Sequence, residues 1–282
     1  MKEKDTPAFV LLNIGYAVHQ ADWNYKHVNS PFARIYSVRE GQAKLHLQNR
    51  SYELTPGHLY FIPPFTLHSY ECHDYYALYY IHVYESPFSS FRMMEDYHFP
   101  VEIEDSALDV QLVERLLAIN PGRELTQYDP SDYDNSSTLM RMIMRDAHTP
   151  VHVMYENRGI LFQLLSRFFR YASPKYQATD RIRRTLHYIG ENIDRPIHIS
   201  ELLEICCLSK DHFIRLFKKE MQVTPVEYIN QKKIEKAQWM VIAGRQPMKD
   251  IAYGLSFESV SYFNRLFRKY TGMTPKEYRK QM

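Results

Sequence analysis

The chain has 282 residues, 45% hydrophobic and 24% charged, and its 35 Lys plus Arg against 33 Asp plus Glu leave a formal net charge of +2. That length exceeds what one core comfortably fills and points to two domains. No stretch reaches the roughly 18 apolar residues of a membrane span, and the opening MKEKDTPAF lacks the apolar core of a secretion signal, so a cytoplasmic protein is expected. The charge is divided: residues 1–179 hold 16 basic and 21 acidic side chains, whereas residues 180–282 hold 19 and 12. A basic C-terminal part facing an acidic N-terminal one points to a polyanionic partner. Of 23 tyrosines, 17 precede residue 180. Cys72, Cys206 and Cys207 form no CxxC pair, and two of them fall in an apolar helical pattern, so they read as buried free thiols. The glycosylation sequon at Asn135 is then accidental.

In chain order, residues 33–84 read as short strands: ARIYSV, AKLHL, SYEL, HLYFI, HSYEC and ALYYIHVY, separated by turn signals at EGQ, QNR, TPG and PPF. Strands at roughly ten-residue spacing predict an antiparallel barrel or sandwich. Along ALYYIHVY, alternation places Tyr80, His82 and Tyr84 on one face and Tyr79, Ile81 and Val83 on the other. Arg34, Tyr36 and His68 join Tyr80 and His82 as candidate ligand-binding residues, because a polar-aromatic barrel lining suits a ligand that stacks and hydrogen-bonds. Each is equally readable as a core or surface side chain with a satisfied polar tip. Residues 106–120 and 151–172 predict amphipathic helices. The stripe Leu161, Leu164, Leu165 and Phe168 could pack on the barrel or on a second subunit. The polar ASPKYQATD, 172–180, reads as a linker. The domains are therefore 1–172, a linker at 173–180, and 181–282.

The C-terminal hundred residues are built twice. SKDHFIRLFKKEMQVTPVEY (209–228) and SVSYFNRLFRKYTGMTPKEY (259–278) share ten of twenty positions in register. Phe213, Leu216 and Phe217, like Phe263, Leu266 and Phe267, follow the i, i+3, i+4 spacing of a buried helix face. Each copy closes on Thr-Pro-x-Glu, a capping box with proline at the first helical position, which starts a further helix. A shorter helix precedes each copy, ISELLEICC (199–207) and MKDIAYGLS (248–256), giving helix, tight turn and basic helix twice. Between the copies, residues 225–243 form a strut broken only by Gly244 and Pro247. As a helix it is about 28 Å long, close to the roughly 34 Å between successive major-groove faces of DNA.

These residues carry a family resemblance. S-x-x-x-F-x-R-x-F-K-K, T-P-x-x-Y, and above all GLSFESVSYFNRLFRKYTGMTPKEYR resemble the double helix-turn-helix domain of AraC/XylS-type bacterial transcription regulators over about residues 180–280. LTPGHLYFIPPFTLHSY (54–70) looks like the segment that closes the cupin barrel of the same family's ligand-sensing domain. The resemblance implies an N-terminal cupin-like barrel with flanking helices and an all-α C-terminal domain. It also implies a homodimer, double-stranded DNA and a small-molecule effector as partners, and RNA polymerase among the contacts. In a sugar-sensing member, polar and aromatic side chains near the positions of Tyr80 and His82 hold the ligand. DNA contacts carry over to Asp211, His212 and Arg215 in the first long helix and Ser261, Tyr262, Asn264 and Arg265 in the second. Arginine suits guanine and Asn264 adenine, while Lys218, Lys219, Arg268 and Lys269 suit phosphates. Asp211 could accept from cytosine or orient Arg215, and Tyr262 could read bases or pack.

The expected function is a DNA-binding transcription regulator controlled by a small molecule, a sugar or related polyhydroxy compound, with no enzymatic activity and no cofactor. Metal-holding cupins offer two histidines as HxH, a glutamate and a distant histidine; here only His46, Glu53 and His68 stand near those places, so no metal site is expected. GxSxG, HExxH and phosphate-loop motifs are absent. The rivals are a regulator with an empty barrel, governed by abundance or a protein partner, and a metal-dependent cupin enzyme carrying a DNA module.

Overall fold

The structure, a computed structural model, describes residues 9–48, 50–86, 93–134, 136–175, 179–243 and 246–281. Asn135, the helix break at Gly244, the first eight residues and positions 176–178 of the expected linker lie outside them. The chain divides into two compact units that part between Ser173 and Pro174.

The N-terminal unit opens on a strand the sequence reading did not anticipate, β1 (Phe9–Gln20), followed by β2 (Ala33–Gly41), β3 (Ala43–Leu47), β4 (Ser51–Leu54), β5 (His58–Ile62), β6 (His68–Glu71) and β7 (Tyr75–Glu85). Beyond them lie the short α1 (Met93–Asp96), β8 (Tyr97–His98) and β9 (Glu102–Glu104), then α2 (Ala107–Ala118), α3 (Pro130–Tyr133), α4 (Ser136–Ala147) and α5 (Val151–Phe169). One antiparallel sheet runs β1-β7-β2-β5-β9 and a smaller one β4-β3-β6. The two bury a common aromatic core, Tyr36, Tyr60, Tyr76 and Tyr80 from the first sheet meeting Leu45, Leu54 and Tyr70 from the second.

Both faces of the large sheet are covered, which is why Ile81 and Val83 are as buried as Tyr80 and His82. The second face lies under α5. Its stripe Leu161, Leu164, Leu165 and Phe168 is fully buried, with the Phe168 ring 5.3 Å from Phe61 of β5 and Phe162 5.1 Å from Phe9 of β1. Of the two positions open to that stripe, the chain's own barrel occupies it. Paired amides join α5 to the end of α2: Asn120 Nδ2 donates to Asn157 Oδ1 at 2.6 Å and Asn157 Nδ2 returns at 3.0 Å. A buried amide is costly unless its bonds are made, so this reciprocal pair fixes the helix register.

The C-terminal unit is helical: α6 (Asp180–Glu191), α7 (Ile199–Cys206), α8 (Lys210–Met221), α9 (Pro225–Ala243), α10 (Met248–Gly254), α11 (Val260–Thr271) and α12 (Pro275–Gln281). Both capping boxes form. Thr224 and Thr274 Oγ1 each donate to the carboxylate of the glutamate three residues on at 2.8 Å and accept that residue's N–H at 3.3 Å. They start α9 and α12 where the repeat requires. One expectation fails in this unit. Cys72 and Cys206 are buried, but Cys207 is exposed, because α7 ends there in a left-handed residue with φ of 53° that turns the side chain out of the apolar face.

Candidate functional site

Strand register builds a pocket on the inner face of the large sheet. Gly15, Ala17 and His19 of β1 stand opposite Tyr80, Leu78 and Tyr76 of β7, and Tyr36 of β2 stands opposite Tyr80. Ala17, His19, Tyr36, Leu78, Tyr80 and His82 line a narrow cavity of about 270 Å³ counting its open mouth. Trp23 closes one side, and Leu125, Tyr128 and Tyr133, from the segment between α2 and α4, close another. Gly15 is small for a reason: the Tyr80 ring lies across it, so a Cβ there would come within 2.6 Å of Cζ.

The rings stack. Trp23 lies 4.0 Å from Tyr70 and 5.3 Å from Tyr76, both near parallel, and His82 stacks on Tyr133 at 5.2 Å. Tyr80 Oη accepts the Leu125 N–H at 2.7 Å, tying the closing segment to β7. Asn13 Nδ2 donates to His82 Nδ1 at 3.4 Å, leaving the ring proton on Nε2. Burial, and then the Arg34 guanidinium, hold the His82 imidazole well below its ordinary pKa, so it is neutral. Burial lowers His19 too, with Asp22 opposing. The cavity therefore offers aromatic faces, the Tyr80 hydroxyl and the neutral His82 imidazole.

Of the sequence-derived ligand candidates, Tyr36, Tyr80 and His82 line this cavity, and Arg34 and His68 do not. Arg34 is a buried brace. Its guanidinium donates to Ser30 Oγ at 2.5 Å and to Asp134 Oδ2 at 3.2 Å, with the Phe32 ring 4.8 Å away, so it anchors the segment that carries Tyr133. His68 donates from Nδ1 to the Thr66 carbonyl at 2.6 Å and accepts from Tyr70 Oη at 2.7 Å. Tyr70 in turn accepts from Tyr36 Oη at 2.6 Å. That relay needs a neutral imidazole, and burial together with Arg34 lowers the His68 pKa to about 3. His19, Trp23, Tyr128 and Tyr133 line the cavity without having been anticipated. The early tyrosine excess is the one signal in the sequence for Tyr128 and Tyr133, and His19 and Trp23 have none. His46 is bound to Ser51 and Glu71 at 2.7 and 3.2 Å, apart from His68, and among the described residues no group of three or more metal-ligating side chains converges.

In the C-terminal unit, Asp211, His212, Arg215, Lys218 and Lys219 are all exposed along one side of α8, with Phe213 and Phe217 buried on the other. Ser261, Asn264, Arg265, Arg268 and Lys269 are exposed along α11 over buried Phe263, Leu266 and Phe267. Among the described residues, no ion pair joins Asp211 to Arg215. Tyr262 is half-buried: its ring lies 6.2 Å from Phe257, and Asn230 Nδ2 bonds its hydroxyl at 3.2 Å. The Arg265 guanidinium sits 5.3 Å over that ring, so Tyr262 packs and supports Arg265 at once.

Residues 13–130 match the family description "AraC-like ligand binding domain" and residues 202–281 match "Helix-turn-helix domain". The chain is 36% identical over 92 residues to the bifunctional transcriptional activator/DNA repair enzyme AdaA of Bacillus subtilis, 33% of this chain and 44% of that protein. It is 26% identical over 101 residues to the arabinose operon regulatory protein of Escherichia coli, covering 36% and 35%. It spans under half the length of the curated relatives it matches. Among solved structures, the unsaturated fatty acid bound ToxT of Vibrio cholerae is similar over 100% of this chain and 98% of its own, at 16% identity and a TM-score of 0.46.

Proposed function

Since the chain belongs to the AraC/XylS family of bacterial transcription regulators, we propose that it reads DNA with α8 and α11 and is controlled by a small polar molecule in the pocket over β7. The observation that carries this reading is the twin exposed faces of α8 and α11, each presenting an arginine at the same wheel position and two cations one turn on. Arg215 and Arg265 pair with base edges, Asn264 with adenine, and Lys218, Lys219, Arg268 and Lys269 with phosphates. His212, Ser261 and Asp211 complete the reading faces, with Asp211 accepting from a base amino group.

The effector is small and rich in acceptors. Aromatic walls suit stacking, while the Tyr80 hydroxyl and His82 Nε2–H suit hydroxyl or carbonyl oxygens. A sugar or related polyhydroxy compound has that chemistry, and the narrowness of the cavity favours a small one. Binding there would draw on Leu125, Tyr128 and Tyr133, whose segment packs through α4 on β1, so ligand biases the placement of helices on the outside of the barrel. The chain acts as a homodimer whose contact uses faces other than the buried α5 stripe, and it recruits RNA polymerase from DNA.

The test is thermal denaturation of the full chain against monosaccharides and polyols, paired with selection on randomised duplex DNA. A ligand that raises the melting temperature in proportion to ln(1 + [L]/Kd) and changes DNA occupancy supports the reading. DNA selection with no ligand effect in any class supports control by abundance or by a protein partner. No enrichment of any DNA sequence overturns the proposal.

A further inference from the structure

The two DNA-reading heads meet through very little. α8 packs on α9, and so do α10, α11 and α12. The core of the first head, which includes Ile182, Leu202, Phe213, Phe217 and Ile229, takes no residue from α10, α11 or α12. The angle between the heads therefore depends on α9 and on what crosses beside it.

One polar cluster crosses directly from turn to turn. Lys236 of α9 is 5% exposed and its ammonium lies 2.6 Å from Oδ1 and 2.7 Å from Oδ2 of Asp194, in the turn between α6 and α7. The backbone carbonyl of the same Asp194 accepts from Ser256 Oγ at 2.7 Å. Ser256 belongs to the second head, in the turn between α10 and α11, and holds a left-handed φ of 55°. A second buried lysine, Lys233, reaches the Ser256 carbonyl at 3.5 Å; burial lowers its pKa, with Asp194 opposing. Among the described residues, α9 also meets the second head through the Lys233 ammonium 5.6 Å over the Phe257 ring, Gln238 to Tyr278 at 3.0 Å, Asn230 to Tyr262 at 3.2 Å and Tyr270 to the Glu227 carbonyl at 3.3 Å. The Lys236 stem is buried while the Asp194 carboxylate is 64% exposed, so the pair contributes little stability, and what it does is hold the α6–α7 turn against α9.

We propose that Lys236, Asp194 and Ser256 form a latch that fixes the angle between α8 and α11 and so sets the number of base pairs the chain accepts between its two sub-sites. This rests on the reading that both heads bind DNA. Adding one base pair between sub-sites moves the second about 3.4 Å along the helix and turns it by roughly 35°. A joint held by the latch cannot follow that motion, whereas α9 alone can bend toward it. All three are positioning residues, and none lies on a DNA-reading face.

The experiment is selection of randomised duplex DNA with the full-length chain, followed by affinity measurement on the selected site with its spacer lengthened or shortened by one base pair. The wild-type chain should lose about 30-fold in affinity on either altered spacer. Lys236→Met keeps the buried stem and Ser256→Ala removes one hydroxyl. Each should bind both altered spacers within about fivefold of the original, with the sub-site sequences unchanged. Cooperative melting shows that each variant is folded, and if Lys236→Met does not fold, Ser256→Ala decides alone. A folded variant as strict about spacing as the wild-type chain overturns the latch while leaving the two-head reading intact. A wild-type chain that enriches no paired sub-sites overturns both.

Discussion

Replacing Gly15 by alanine should damage the pocket through a single contact. The new Cβ would meet Tyr80 Cζ at 2.6 Å and Cε1 at 3.0 Å, closer than carbon atoms approach. The ring cannot slide far, because His82 and Tyr128 stand 5.6 and 6.1 Å from it. It must swing, and in doing so releases the Leu125 N–H that its hydroxyl accepts at 2.7 Å. Overpacking costs about 1–3 kcal/mol, and a half-buried donor left without its partner about 1–3 more. The expected loss is roughly 2–6 kcal/mol in the N-terminal unit. Urea denaturation followed by circular dichroism measures it, with Trp23 fluorescence reporting the pocket itself. Tyr80→Ala in the same chain removes the clash, so Gly15→Ala should add under about 1 kcal/mol in that background, a coupling that a double-mutant cycle reads directly. Gly15→Ala within about 0.5 kcal/mol of wild type, or an equal cost with and without the Tyr80 ring, would refute the reasoning.

Further outcomes follow from the same contacts. Arg215→Ala and Arg265→Ala should each cost about 1–3 kcal/mol of DNA affinity and relax preference at different positions, whereas Lys219→Ala should weaken all sequences alike and lower the salt slope by about one. Thr274→Ala removes the capping box of α12 and should destabilise the C-terminal unit by about 0.5–2 kcal/mol in thermal melts, with Thr274→Ser close to neutral. His68 is neutral when folded, with a pKa of about 3 against 6.5 in the open chain. The unfolded chain therefore takes up a proton first, and stability is full above pH 6.5 and lost as pH falls from there toward 3. The slope from this one group is at most about 1.4 kcal/mol per pH unit; His68→Gln should flatten the fall in urea midpoint between pH 7 and pH 5, and an unchanged fall would place the sensitivity elsewhere.

The parts legible in the sequence are those whose signal is local. The α8 and α11 repeat, their Thr-Pro-x-Glu starts and strands β2 to β7 each announce themselves through spacing or turn residues within about ten positions. β1 does not. Its first half is buried on both faces, by the pocket core on one side and by α4 and α5 on the other, so Phe9 to Ile14 show no alternation. α4 was missed as well, its buried Leu139 and Met142 masked by an equally apolar but exposed Met144. The pocket was half visible. Tyr80 and His82 follow from strand alternation and Tyr36 from its polar-aromatic character, but His19, Trp23, Tyr128 and Tyr133 reach it because β1 pairs with β7 and because Arg34 holds Asp134. Arg34 and His68 carry the right chemistry on the right strands, yet each is consumed by a buried partner, which no pattern in the sequence reveals.

The most direct measurement of the central claim is methylation protection of a selected DNA duplex by the full-length chain, read at guanine N7 in the major groove. Two protected clusters about ten base pairs apart on one face of the duplex are expected, one lost in Arg215→Ala and the other in Arg265→Ala. A single cluster, or both arginine variants losing the same guanines, would contradict two heads reading successive major grooves.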